Sequence, residues 1–277
     1  MHSTNPFFQK LLKDLLSGGA IAKDDSILVI CGGKTDFDNL RAAGFTNVTI
    51  SNLDERMLAD DGACYQPYGW RFENAENVQV EDASYDLVLV HSGLHHLRCP
   101  LRGVTEMYRI ARKGVIGFEP NMNLFTKLGA KLGFGQKWEH AAVFFNDLKW
   151  GGVENTEIPN FVYRFRADDI RQTANTFNPI ADHRCRFWYS TRFPDRLLSV
   201  SNPLIRVPAK LGAPLFELAG SLLPALANNM AFWIEKPSVP ADLLPWLREE
   251  DEKVVLDKEK LTEFYQTNDQ PSISKED

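Results

Sequence analysis

The sequence predicts an α/β fold of the doubly wound kind: a parallel sheet with helices on both faces and a C-terminal cap or flap. Three observations predict it. Short apolar runs such as "SILVI", "NVTISN" and "YDLVLV" alternate with amphipathic stretches through the first half of the chain, the pattern of strands joined by crossover helices. "ILVICGGK" runs from four aliphatic residues into Cys31, Gly32 and Gly33, as a buried strand does where its loop must let a ligand reach the backbone. With 277 residues and 44% hydrophobic content, the chain has material for a large core.

The elements follow in order. "NPFFQKLLKDLL" gathers Phe and Leu on one helical face, with Asn5 before Pro6 as its start, and is expected to pack as a lid or flank. "SILVI" is a strand, "FDNLRAAG" a helix closed by Gly44, "NVTISN" a second strand and "ERMLAD" the start of another helix. The pattern continues through "NVQVEDASYDLVLVHS", where Asp82, Ala83 and Ser84 turn the chain into "YDLVLV", a central buried strand. "PLRGVTEMYRIARKG" is a helix ending at Gly114, and "VIGFEPN" a strand that halts at Pro120.

The second half is less regular. "GFGQKWEHAAVFFNDLKWGGVENTEIPNFVYRF" reads as long loops and a cap, "RADDIRQTANTF" as a helix, "ADHRCRFWY" as a strand and "NNMAFWIEKP" as the last strand. Residues 202–226, mostly Leu, Ala, Pro and Gly, read as a helical flap that prolines cut into pieces too short to span a membrane. The expected organisation is an N-terminal helix over 1–20, a ligand-binding domain over 21–150, a substrate-side cap completing the sheet over 151–248, and an acidic flexible tail over 249–277.

The net charge of −6 resides in that tail, where ten Asp or Glu face four Lys. A neutral body argues against nucleic-acid binding, which needs a basic face. Between Arg164 and Arg206 eight Arg stand against four acids, a segment suited to an anionic substrate or a membrane surface, or simply a solvated face. Cys31, Cys64, Cys99 and Cys185 form no C-x-x-C pair, so neither zinc nor disulfides are indicated. With no signal-like N-terminus and no long uncharged apolar run, a cytoplasmic location is expected.

From Ile27 to Asn121 the chain resembles the class I S-adenosylmethionine-dependent methyltransferases, of the methyltransferase type 11 kind. "ILVICGGKT" stands where that family has a strand ending in a Gly-x-Gly loop, and "GFTNVTISNLDERM" at its second strand. "NAENVQVEDASYDLV" matches its adenine loop and fourth strand, and "VHSGLHHL" the segment after. The resemblance implies a Rossmann-like sheet and S-adenosyl-L-methionine as cofactor. By position, the backbone of Cys31, Gly32 and Gly33 would lie against the methionine part. Asn52, or Asp54 two residues on, would meet the ribose, Asn74 and Ala75 the adenine, and His91 the floor near the reactive methyl. Departures are Asn52 in place of an acid, Asn74 in place of Asp, Val29 where an acid is frequent and Thr35 for the last glycine.

Methyl transfer needs an acceptor aligned with the sulfur–carbon bond, and a base when the acceptor is a hydroxyl. His91, His95, His96 and His140 are the titratable candidates, with packing of the His95–His96 pair and a surface position for His140 as bland alternatives. His91, His95 and Cys99 would line up as metal ligands only on a continuous helix, so no metal is expected. Glu119 and Tyr163 fall on the substrate side, the rim or the core.

The expected activity is methylation, most simply at oxygen, of a small-molecule or saccharide-like acceptor, its anionic group read by Arg164 and Arg166. The saccharide link comes from the continuation "GGVENTEIPNFVYRF". Rival readings are a catalytically inactive scaffold, a lipid acceptor reached by peripheral membrane contact through 202–226, and a nicotinamide oxidoreductase, whose three-glycine fingerprint "CGGKTDFD" lacks. The oligomeric state is left open.

Overall fold

A computed structural model describes residues 4–131, 137–193, 198, 200–223 and 226–267. Parts of five stretches interpreted above lie outside the described residues: 1–3 of the N-terminal helix, 132–136 of the cap, Arg196 of the basic segment, 224–225 of the flap and 268–277 of the tail.

Seven strands form one sheet in the order β3-β2-β1-β4-β5-β7-β6. β1 (Ile27–Ile30), β2 (Val48–Asn52), β3 (Gly69–Phe72), β4 (Tyr85–His91) and β5 (Ala111–Pro120) run parallel to one another, and β7 (Asn229–Glu235) lies antiparallel between β5 and β6 (Cys185–Ser190). Alternating residues feed two cores. Val29, Leu87, Leu89, Ile116, Phe118 and Trp233 face α1 (Pro6–Ser17) and α2 (Lys34–Ala43). Leu28, Val88, Val90, Val115 and Phe232 face α3 (Pro100–Ile110) and α6 (Ala167–Phe177). The switch of faces at each residue is the pleat of a sheet covered on both sides.

α1 is more than a flank. Asn5 caps it by accepting from the Phe7 and Phe8 amides. Asn39 of α2 accepts from the Asn5 amide and from Gln9 Nε2. Phe8, Leu11, Leu12 and Leu15 are fully buried, and Phe8 stacks on Phe118 at 4.4 Å. The helix is therefore a core layer packed on the end of β5.

Several expectations are corrected. α3 ends at Ile110, not Gly114, because Ala111 already enters β5. Gly114 is instead a strand glycine, where an added Cβ would lie 2.3 Å from the Trp233 ring of β7. The strand beside β2 is Gly69–Phe72, a four-residue edge segment overlooked in the sequence, whereas 77–80 is irregular. Residues 55–59 make a short 3-10 turn capped by Asp54.

Residues 203–222 form one helix, α7 (Pro203–Leu222), that runs through Pro208 and Pro214; Arg206, Lys210 and Glu217 interrupt its apolar surface. Among the described residues no helix is long and apolar enough to cross a membrane. Lastly, the acidic end is structured up to Thr267. β8 (Leu247–Glu250) and β9 (Lys253–Leu256) pair through a tight turn with positive φ at Asp251 and Glu252. α8 (Lys258–Thr267) then packs Phe264 on Trp246.

Two insertions leave the carboxyl edge of the sheet. The first spans β5 to α6, carries α4 (Leu124–Lys131) and α5 (His140–Phe144), and is tied back by the Met122 amide to the Phe165 carbonyl. The second carries α7 between β6 and β7 and is pinned at its base by Asn228, bonded to the Arg192 backbone in both directions.

Candidate active site

The crevice opens where β1 and β4 end. β1 closes on Cys31, which holds a φ of 51°, and Gly32, whose amide donates to the Ser51 carbonyl. A side chain at Gly32 would strike Ile50 and Val29 within 3 Å, whereas one at Gly33 would meet nothing within 4 Å. Gly32 thus lets the loop drop onto the sheet, and Gly33 presents bare backbone to open space. Gly93 allows the same close approach from the β4 side, since a Cβ there would lie 2.4 Å from that of Cys31.

Beside this loop sits a residue that the sequence did not single out. Asp36, in the first turn of α2, accepts from the Gly33 amide through Oδ2 at 2.8 Å, but its buried Oδ1 has no hydrogen-bond partner. Burial raises its carboxyl to about 7, against the lowering effect of the Gly33 bond. Cys31 is likewise pushed up to about 12 by burial and by the charges of Glu119, Asp36 and Glu76, so its thiol stays neutral. Anionic groups act on Cys31 at the glycine loop, and the unpartnered Asp36 Oδ1 lies 3.7 Å from His91 Nδ1: features that fit a cationic ligand.

The other nominated contacts are held by the protein itself. Asn52 donates from Nδ2 to the Gly32 carbonyl and accepts the Asp54 amide on Oδ1, so its side chain braces the loop. The Asp54 carboxylate is bonded by Arg56, which holds it below the usual range, and the Arg56 guanidinium stacks on Trp150 at 3.5 Å. Asn74 accepts the Glu76 amide in an Asx turn, and Ala75 is buried in the core under α3. The loop from Trp150 to Asn155 bridges this rim: Asn155 donates to the Leu53 carbonyl, and Glu154 pairs with Arg98 at 2.5 Å.

The histidines separate into three environments. His91 ends β4, edge-on to Phe8 and Phe118, with Nδ1 3.7 Å from Asp36 Oδ1. Burial lowers its pKa, leaving a neutral imidazole whose Nε2 bonds to nothing among the described residues. His95 lies in the 3-10 turn after β4, buried between two carboxylates: Nδ1 is 2.6 Å from Glu119 Oε2, and Nε2 is 3.2 Å from Glu139 Oε2. Burial alone would strip its proton, but the charge and hydrogen bond of Glu119, then Glu139, raise it to about 9. His140 is exposed at the start of α5 and is not brought to this group.

Glu119 also accepts the Gly93 and Leu94 amides on Oε1, which makes it the anchor of the segment after β4. Glu139 arrives from the cap, where its amide bonds the Asn160 carbonyl. Burial works to raise the Glu139 carboxyl, yet the His95 bond and charge, with His96, hold it at about 2. Of the basic segment, Arg171 pairs with Asp168 and Arg184 with Asp242, whereas the partly buried Arg164 feels the charge of Glu139.

A family model described as "Methyltransferase domain" matches residues 29–118, from within β1 to within β5. Among solved structures the chain is similar to magnesium protoporphyrin IX methyltransferase from Synechocystis with bound S-adenosylhomocysteine, at 14% identity, over 83% of this chain and 82% of that one, TM-score 0.47. It is also similar to an S-adenosylmethionine-dependent methyltransferase from Archaeoglobus fulgidus, at 11% identity, over 83% of this chain and 94% of that one, TM-score 0.47. No curated protein sequence matches the chain significantly. Residues 29–118 thus match a methyltransferase domain, and they lie in a seven-stranded sheet that has one reversed inner strand and a bare glycine loop at the end of β1.

Proposed function

We propose that the chain is an S-adenosylmethionine-dependent methyltransferase that acts at oxygen on an amphipathic acceptor, a hydroxyl or saccharide-like head carried on an apolar part and met at a membrane surface. The observation that carries this reading is the character of the two insertions at the carboxyl edge. α7 exposes Leu204, Leu211 and Leu215 at 83%, 73% and 69%, and Val207 and Leu218 extend the same stripe. The cap exposes Phe144 at 65% and Phe145 at 80%, with exposed Leu148 shortly after them and exposed Phe125 and Leu128 on α4 of the same insertion. Scattered surface apolar residues need no explanation, but a helical stripe and an aromatic cap on one edge match an apolar surface.

S-adenosylmethionine, when bound, supplies a methyl group on a cationic sulfur. The backbone at Cys31–Gly33 would hold its methionine part, and Asp36 Oδ1 its cationic end; Asn52, Asp54, Asn74 and Ala75 frame the loops where ribose and adenine would lie. His91 would accept the hydroxyl proton at Nε2, with Phe8 and Phe118 keeping water from the ring. His95, already protonated between two carboxylates, is then a positioning group, and His140 a surface residue. The cap and flap over 151–248 would be the substrate side of the binding domain.

The test is flotation with phosphatidylcholine and phosphatidylglycerol vesicles, followed by transfer of labelled methyl from S-adenosylmethionine into the lipid extract. Wild type floats, and Leu211→Asp with Leu215→Asp stays in solution while remaining folded. His91→Gln floats normally but slows transfer by about 10²–10⁴-fold. Wild type that ignores both vesicles yet methylates a soluble sugar acid would replace this reading with the soluble, anionic acceptor.

A further inference from the structure

We propose that His95, His96 and Glu139 form a binding site for a divalent transition-metal ion of the zinc class. His95 Nε2, His96 Nε2 and Glu139 Oε2 all lie within 4.8 Å of one another. Glu139 Oε2 is 3.2 Å from His95 Nε2 and 3.6 Å from His96 Nε2. Bonds of about 2.0–2.1 Å to a tetrahedral ion set neighbouring ligand atoms about 3.3 Å apart. Two of the three edges therefore match already, and a small rotation of His96, which is one-quarter exposed, closes the third.

The surroundings are those of a ligand set rather than a chance cluster. The Nδ1 of His95 is held at 2.6 Å by Glu119 Oε2, and Glu119 is itself fixed by the Gly93 and Leu94 amides. An Nδ1–H donated to a carboxylate fixes the ring, so that an ion displacing the Nε2 proton held against Glu139 meets a lone pair of raised basicity. Asn160 adds an independent sign. It is 3% exposed, its Nδ2 bonds the His95 carbonyl and lies 3.4 Å from Glu139 Oε2, and its Oδ1 is buried without a partner. Two imidazoles and a carboxylate suit an ion of intermediate softness. Three protein ligands leave a position for water or for an oxygen of another molecule. Glu139 and His96, both partly exposed, give the ion its way in.

The site could not be read from spacing, because Glu139 reaches it only through the pairing of Trp138 with Phe161. His91 and Cys99 take no part: one ends β4 and the other precedes α3.

The test reads metal and not turnover, so it stands apart from the methyl-transfer reading. The full chain is stripped with a chelator, then titrated with ZnCl₂ in a calorimeter and with CoCl₂ by visible absorption. One equivalent of Zn²⁺ binds at micromolar or lower concentration, and Co²⁺ gives the intense bands of a tetrahedral site. Glu139→Gln and His96→Ala each weaken binding by more than about tenfold, and Glu119→Gln, which leaves every ligand in place, by about 10–100-fold. His140→Ala, an exposed neighbour, leaves it unchanged. Where circular dichroism shows that a variant has not folded, His96→Gln replaces it. Binding only at millimolar metal, or one-equivalent binding that survives both Glu139→Gln and His96→Gln, overturns the proposal.

Discussion

Asp36 concentrates the chemistry of the glycine loop in one carboxyl group. Its pKa is raised by burial to about 7, so between about pH 4 and 7 the folded protein holds a proton that the unfolded chain has lost. The folded state binds more protons over that window, hence stability falls as pH rises through it and levels off above 7. Asp36→Asn keeps an oxygen for the Gly33 amide and cannot ionise, and its neighbour His91, neutral by burial, places no charge against it. Thermal melts should show the variant more stable than wild type at about pH 8, by on the order of a few kcal/mol, and level with it near pH 4. A variant no more stable at the higher pH would mean that the carboxyl is not protonated in the fold. The same residue would be needed to receive a cation, so a gain in stability would accompany a loss in binding, as expected of a strained functional group.

At the scale of elements, the alternation of strand and helix from Ile27 to Pro120 was legible because each buried strand is a run of aliphatic residues and each helix carries its own cap and stripe. Asn5, Gly44 and Pro120 end or begin elements as their chemistry dictates. What could not be read depends on neighbours far along the chain. Gly114 looked like a helix stop, yet it lies in β5 because Trp233 of β7 crosses over it; Gly117 lies under Phe232 in the same way. β3 is only four residues long and, as an edge strand, buries little. The tail's charges hid a hairpin whose turn rests on two positive-φ residues and a helix held by one aromatic pair. In the site, Cys31–Gly33 were visible as a loop, whereas Asp36 was not, because only the fold strands its Oδ1 among buried groups. Gly117→Ala tests the strand reading: its Cβ would stand 2.1 Å from the Phe232 ring, which is fully buried. Overpacking of that kind should lower stability by about 1–3 kcal/mol in denaturant unfolding; no loss would show that β7 can shift.

Across the whole molecule, the sheet orders its functions along one edge. The carboxyl ends of β1 and β4 hold the loop and His91, β5 adds Glu119, and the reversed β7 brings the base of α7 to the same side as the cap. A ligand crevice beyond the carboxyl ends of parallel strands is the general property of such sheets; this chain surrounds it with apolar insertions and an anionic floor. The account as a whole requires a cation at that floor. Calorimetric titration of the intact chain with S-adenosylhomocysteine near neutral pH measures it most directly. One-to-one binding is predicted, weakening about tenfold for each pH unit below 7 as Asp36 takes up its proton, and weakened at least as far by Asp36→Asn. Absence of binding at millimolar ligand by folded protein, or an affinity indifferent to both pH and Asp36, would contradict it.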